Sequence, residues 1–250
     1  MASHFTTLGF DSQDEQAFRD FIMHTAAHGE WLALPDESAY VMWTPGAGIQ
    51  MWAQVNADGG IIGLNPHFSG QGQMQVGLIS RINRANDNAL DGAFYGWAGA
   101  QEGGDPEQGD YPFVFDAPDF RIHDALALPA IVAVQLTAFA HTLKAYPDEE
   151  TFRASETHMA AESCIPSGLF TVSPPGERVP PAAQVIFNGH VVAAAVLTNP
   201  HTSLTFHWAR VKTLGGEYDV VADPAIVDGE IIPQGIVSVS GWVSGRVMPA

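Results

Sequence analysis

The chain has 250 residues, 46% of them apolar, and sets Lys+Arg 10 against Asp+Glu 28, a formal net charge of −18. That apolar share can fill a sizeable core, which excludes disorder as the default state. The charge repels phosphate backbones and anionic headgroups, which excludes nucleic acid and membrane surfaces as expected partners.

The acidity is uneven. Residues 1–120 hold 16 acidic and 3 basic side chains, whereas residues 181–250 hold 5 and 3. The N-terminus, MASHFTTLGFDSQDEQ, has neither a basic n-region nor an apolar h-region, so no secretory signal is expected. The longest apolar stretch, 126–140, is broken by Pro129, Gln135 and Thr137 and is too short to span a bilayer. The single cysteine, Cys164, cannot form an intrachain disulfide, which suits a reducing compartment. These features together predict a cytoplasmic location. An acidic surface also suits a salty habitat.

In chain order, the first expected element is a helix. Ser12 and Glu15 have capping-box spacing. Ala17, Phe18, Phe21, Ile22 and Thr25 recur at helical period, and Gly29 closes the segment. From Glu30 the period becomes two. Strands are predicted at Ala39–Trp43, Ile49–Val55 and Ile61–Leu64, with Asn56–Gly60 as the turn between the last two. Met74–Ile82, Ala93–Ala98 and Pro112–Phe115 follow as strands. The acidic, glycine-containing segment around Glu102, Asp105, Glu107 and Asp110 reads as a solvated loop without calcium-loop spacing.

Ala130–Lys144 fits a buried helix or a long strand. The alternation of Val132, Val134, Leu136, Ala138 and Ala140 favours the strand. Pro147–Glu150 opens a short acidic helix expected to run to about Met159. Ser173–Pro181, with four prolines in nine residues, reads as a stiff linker. Beyond it, Val185–Ala195, Leu204–Thr213, Tyr218–Ala222 and Val237–Val247 alternate as strands. No internal repeat is evident. The expected fold is α+β, mostly antiparallel β: an N-terminal strand-rich domain with a packed helix (1–172), a linker (173–181), and a small antiparallel OB-like barrel (182–250).

Candidate chemistry is sparse. His24 and His28 lie four apart on the first helix and could face one metal ion, but no third ligand at matching spacing completes a set, so no metal is expected. Asn65 and His67 follow a predicted strand, with His67 expected in a turn. With Trp43, Trp52 and Trp97 they form the candidate ligand-binding set, aromatic faces around a few polar groups. Cys164, beside Ile165-Pro166, reads as an inert thiol. Gly70-Gln71-Gly72-Gln73 lacks the lysine of a phosphate loop, and neither a nucleophile elbow nor a dinucleotide fingerprint is present. Asp219 and Asp223 are expected to flank a strand end, where they could bind a cation or cap a turn, with turn chemistry the default. No cofactor is implied. The functional expectation is a binding or interaction module for a basic protein or a small molecule. The alternative is a small-molecule enzyme with general acid–base groups near His67.

Overall fold

The computed structural model describes residues 3–10, 15–155, 159–169 and 180–249. The protein is mostly β, in two sheets. Helix α1 (Glu15–His28) lies over strands β1 (Glu30–Ala33), β2 (Ala39–Gly46), β3 (Ile49–Val55) and β4 (Ile61–Phe68), which pair antiparallel in that order. The proposed cap Ser12 falls outside the described residues. Phe18 and Phe21 of α1 pack with Ile49, Met51 and Phe68, so the helical period and the strand alternation meet in one apolar cluster. Gly29 ends the helix because nothing larger fits: a Cβ there would sit 2.6 Å from Val41 Cγ1 and 2.9 Å from the Met42 carbonyl carbon.

Strand β3 is buried along its whole length. Its odd-numbered residues face α1, and Gln50, Trp52 and Gln54 face the second sheet. The turn to β4 forms as the Asp-Gly pattern predicts, with Gly59 at φ 81° and Gly60 N–H donating to Asn56 Oδ1 at 2.7 Å. Strand β4, however, runs past Leu64 to Phe68, so His67 sits in a strand and not in a turn. Pro66 is tolerated because β4 is a sheet edge, where its missing N–H breaks no ladder.

Among the described residues, the second sheet has ten strands. These are β5 (Gln73–Ile82), β6 (Ala93–Ala98), β7 (Tyr111–Asp116), β8 (Ala130–Tyr146), β9 (Ser163–Ile165), β10 (Gln184–Thr198), β11 (Thr205–Thr213), β12 (Gly216–Ala222), β13 (Val227–Asp228) and β14 (Ile236–Val247). The ambiguous 130–144 segment is therefore a strand; Val134, Leu136, Ala138 and Ala140 are all fully buried. Helix α2 covers only Glu149–Arg153, capped by Asp148 accepting from Thr151 N–H at 2.7 Å. It is shorter than expected, ending at Ala154 well before Met159. The acidic 102–110 segment is an irregular connection between β6 and β7.

The pairings close two rings. Ring one runs β5–β6–β7–β14–β8 and back to β5; its β7–β14 contact is a single parallel pair, Asp116 with Ser244. Ring two runs β10–β11–β12–β8–β14 and back to β10, with β12 parallel to β8. The β8–β14 pair belongs to both rings. The C-terminal strands thus do not close on themselves, because β8 stands between β12 and β14. A topological repeat also emerges that the sequence does not display. Each half gives a three-strand meander, a 3₁₀ turn (Phe120–His123, then Pro224–Ile226), and a strand of the shared pair. One continuous core fills both rings, including Phe94, Phe113 and Phe115 on one side and Phe187, Val211 and Tyr218 on the other. Each fully buried phenylalanine adds about 1.5–3 kcal/mol. Of the proposed linker, residues 173–179 lie outside the described residues; strands on either side of it share the ten-stranded sheet. Among the described residues, no helix is long and apolar enough to cross a membrane.

Candidate functional site

The face of the four-stranded sheet turned away from α1 meets the second sheet through polar side chains. His67 is fully buried there. Its Nε2 lies 2.7 Å from Gln135 Oε1 and its Nδ1 2.8 Å from Ser244 Oγ. The Gln135 amide donates to Asp219 Oδ2 at 2.9 Å and to Thr137 Oγ1 at 3.1 Å, so its carbonyl faces His67. His67 Nε2–H therefore donates, and Nδ1 accepts from Ser244. Burial drops the His67 pKa to about 4, which keeps this neutral tautomer at physiological pH.

Asp219, equally buried, accepts from Gly72 N–H at 2.7 Å, Trp208 Nε1–H at 2.8 Å and Gln135 Nε2 at 2.9 Å. Three donors compensate a carboxylate that has left water. Asp219 is therefore an interior residue of β12, not a strand-end turn residue as expected. Asp223 does cap a turn, accepting from Ala225 N–H at 2.9 Å. Both glycines before β5 are explained by close approach to β12: a Cβ on Gly70 would meet the Asp219 carboxylate at 2.2 Å, and one on Gly72 the Asp219 backbone nitrogen at 2.3 Å. This loop packs on an acid.

Trp52 and Asn65 share the His67 face. The Arg246 guanidinium lies 4.7 Å over the Trp52 ring and bonds Asp119 Oδ2 at 2.8 Å. Burial works to raise the Asp119 pKa, but His123 and Arg246 beside it hold the carboxyl below the usual range. Asn65 and Gln54 both donate to Asp91 Oδ1, at 2.8 and 2.7 Å. Trp43 stands on the opposite face of the sheet, against Phe21, His24 and His201. Trp97 is on β6, paired with Gly77 and Pro112, in another part of the molecule. So Trp52, Asn65 and His67 come together in a closed junction, and Trp43 and Trp97 join neither them nor each other. Burial pushes the Cys164 thiol up to about 12, leaving it protonated.

The open surface offers something different. A cleft of about 770 Å³ is lined by Trp31, Leu34, Asp36, Arg121, Ile122 and Asp124 among others. Trp31 is 59% exposed and Ile122 42% exposed. Arg121 bonds Asp36 Oδ2 at 3.3 Å through both terminal nitrogens and Asp124 Oδ2 at 2.6 Å through Nε. Two carboxylates on one guanidinium leave the cleft net negative, and Glu30 and Glu37 stand exposed in the flanking β1 and its turn. A hydrogen bond from Ser38, then the Arg121 charge, hold Asp36 below its ordinary pKa, so it stays ionised. The sequence reading missed this cleft. Its local signal is a tryptophan in a four-residue edge strand with Asp36 close behind it, whereas Arg121 and Asp124 lie about 90 residues on in the chain.

No family model, no curated protein and no solved structure matches this chain.

Proposed function

We propose that the chain is a binding module for a basic protein partner, docked at the Trp31 cleft. The observation that carries this reading is a large exposed aromatic beside ionised carboxylates on a chain of net charge −18. Tryptophan supplies contact area and a π-face for a lysine or arginine side chain, and the surrounding acids steer a basic surface toward it. The partner is reached from the cytoplasm, and neither nucleic acid nor membrane competes for this surface. In the same reading the chain divides at 173–181, and the C-terminal ring, with five strands and a long first strand, is an OB-like barrel completed by β8. Acid–base chemistry at His67 is the weaker alternative, since that ring is sealed from solvent and bonded through both nitrogens.

The test is affinity capture with the wild-type chain, Trp31→Ala, and the double variant Asp36→Asn with Asp124→Asn. A partner retained by wild type at low salt should be lost at high salt and weakened roughly tenfold or more by Trp31→Ala. A partner held equally by all three proteins would refute the cleft.

A further inference from the structure

The Trp31 cleft runs along an open sheet edge. Strand β1 is the first of four in its sheet and pairs with β2 alone. Leu34 N–H donates to Ser38 O at 2.8 Å, and this bond fixes the phase of the ladder. Antiparallel pairs alternate between bonded and non-bonded, so Leu32–Tyr40 and Glu30–Met42 exchange bonds in step with it. The N–H and C=O groups of Trp31 and Ala33 therefore point to the open edge, with no partner among the described residues. Resting on the basic-partner reading of the cleft, we propose that this edge takes up an extended, lysine- or arginine-rich segment of the partner as a fifth strand.

Three features support strand addition. The first is the course of the cleft. Its lining includes Trp31, Leu32, Ala33 and Leu34 in succession. Successive strand residues point to opposite faces, so a groove that touches all four runs beside the strand and not over one face. The second is a preformed far wall. The Tyr40 hydroxyl, on β2, accepts from Arg121 N–H at 3.0 Å and donates to Leu90 O at 2.6 Å. The Arg121 segment is thereby held in place before a partner arrives, which lowers the ordering cost of binding. The third is the contrast between the two edges of the sheet. On β4, Pro66 removes a donor from the open side, a common guard against unwanted pairing. Strand β1 carries neither proline nor lysine, and its one charge, Glu30, has the sign that attracts a basic strand.

Charge selects the occupant. Glu30, Asp36 and Glu37 are exposed on and just after β1, and Asp124 is exposed on the Arg121 segment. Arg121 itself is already shared by Asp36 and Asp124. In an added strand, alternate side chains stand on one face. Lysines two residues apart can therefore reach these acids while the backbone pairs with Trp31 and Ala33. The Trp31 indole covers the aliphatic stem of one such side chain. An acidic strand would gain the backbone bonds but meet repulsion.

The experiment uses the whole chain and a synthetic probe, a peptide of about six alternating lysine and valine residues, an ordinary strand length. Binding is measured by calorimetry at low salt, and circular dichroism checks that each variant is folded. Ala33→Pro deletes an outward N–H and leaves Trp31, both aspartates and the β1–β2 bonds in place. The wild-type chain should bind one peptide, and Ala33→Pro should bind it at least about tenfold more weakly. Trp31→Ala should weaken it to a similar degree. The same peptide, N-methylated at every residue, should lose its binding to wild type, which tests the backbone bonds without altering the protein. Amide exchange at Trp31 and Ala33 should slow when the unmethylated peptide is bound. A peptide with glutamate in place of lysine should not bind. Full-strength binding of the methylated peptide would overturn strand addition; if Trp31→Ala still weakens that binding, the cleft reading stands. Equal binding by wild type, Ala33→Pro and Trp31→Ala would refute both. A wild-type chain with no saturable binding would overturn strand addition alone, since the cleft reading has its own test in affinity capture.

Discussion

His67 shows how one buried side chain sets a pH dependence. Its folded pKa of about 4 lies below the ordinary 6.5, so the unfolded chain binds more protons between those values. Stability from this group is complete above pH 6.5 and lost as the pH falls toward 4. The shift corresponds to roughly 3 kcal/mol. Urea midpoints measured from pH 7 to pH 4 should fall steeply in wild type and less steeply in His67→Gln. His4, also lowered to about 4 by burial and by His141, should leave a residual slope. Equal slopes in both proteins would show that His67 is not buried as described. The histidine was visible in the sequence as chemistry, but its partners were not. Gln135, Asp219 and Ser244 come from three distant strands, and nothing local marks them as a network.

At the scale of elements, the local patterns were readable wherever one face of a segment met the core. The Ile49–Val55 alternation, the Asn56–Gly60 turn and the helix ending at Gly29 follow from period and turn chemistry alone. Strand β4 runs further than its sequence suggests because Pro66 and the polar Asn65 and His67 resemble a turn; an edge position and a polar sheet-to-sheet junction let them stay in a strand. Helix α2 is shorter than its sequence suggests because acidic residues signal a helix start but say nothing of its end. Gly29 offers a direct test of the α1-to-β1 junction. Gly29→Ala puts a methyl group 2.6 Å from Val41 Cγ1 and against the Met42 backbone. It should destabilise the protein by about 1–3 kcal/mol, read as a lower denaturant midpoint with an unchanged m-value. A variant as stable as wild type would mean that the helix can lift off the sheet at no cost.

For the whole molecule, the decisive feature is invisible to any local reading. Twelve residue pairs join β8 to β14 across about a hundred residues of chain, and both rings depend on them. A fragment of residues 182–250 therefore lacks one wall of its ring and is expected not to fold alone. Fragments 1–169 and 180–250, produced together, should instead assemble into a stable one-to-one complex that unfolds in a single transition. Size-exclusion chromatography and thermal unfolding of the pair check this. Recovery of a folded, monomeric 182–250 fragment would show that its strands close without β8.

The shared pair also governs the order of events during synthesis. Strands β5 to β8 have all left the ribosome once residue 146 has cleared the exit tunnel, yet ring one still lacks its fifth strand. That strand, β14, is made some ninety residues later. Until then β7 and β8 present open edges, a state in which nascent chains are prone to pair with the wrong neighbour. Both rings close together, after residue 247 has emerged.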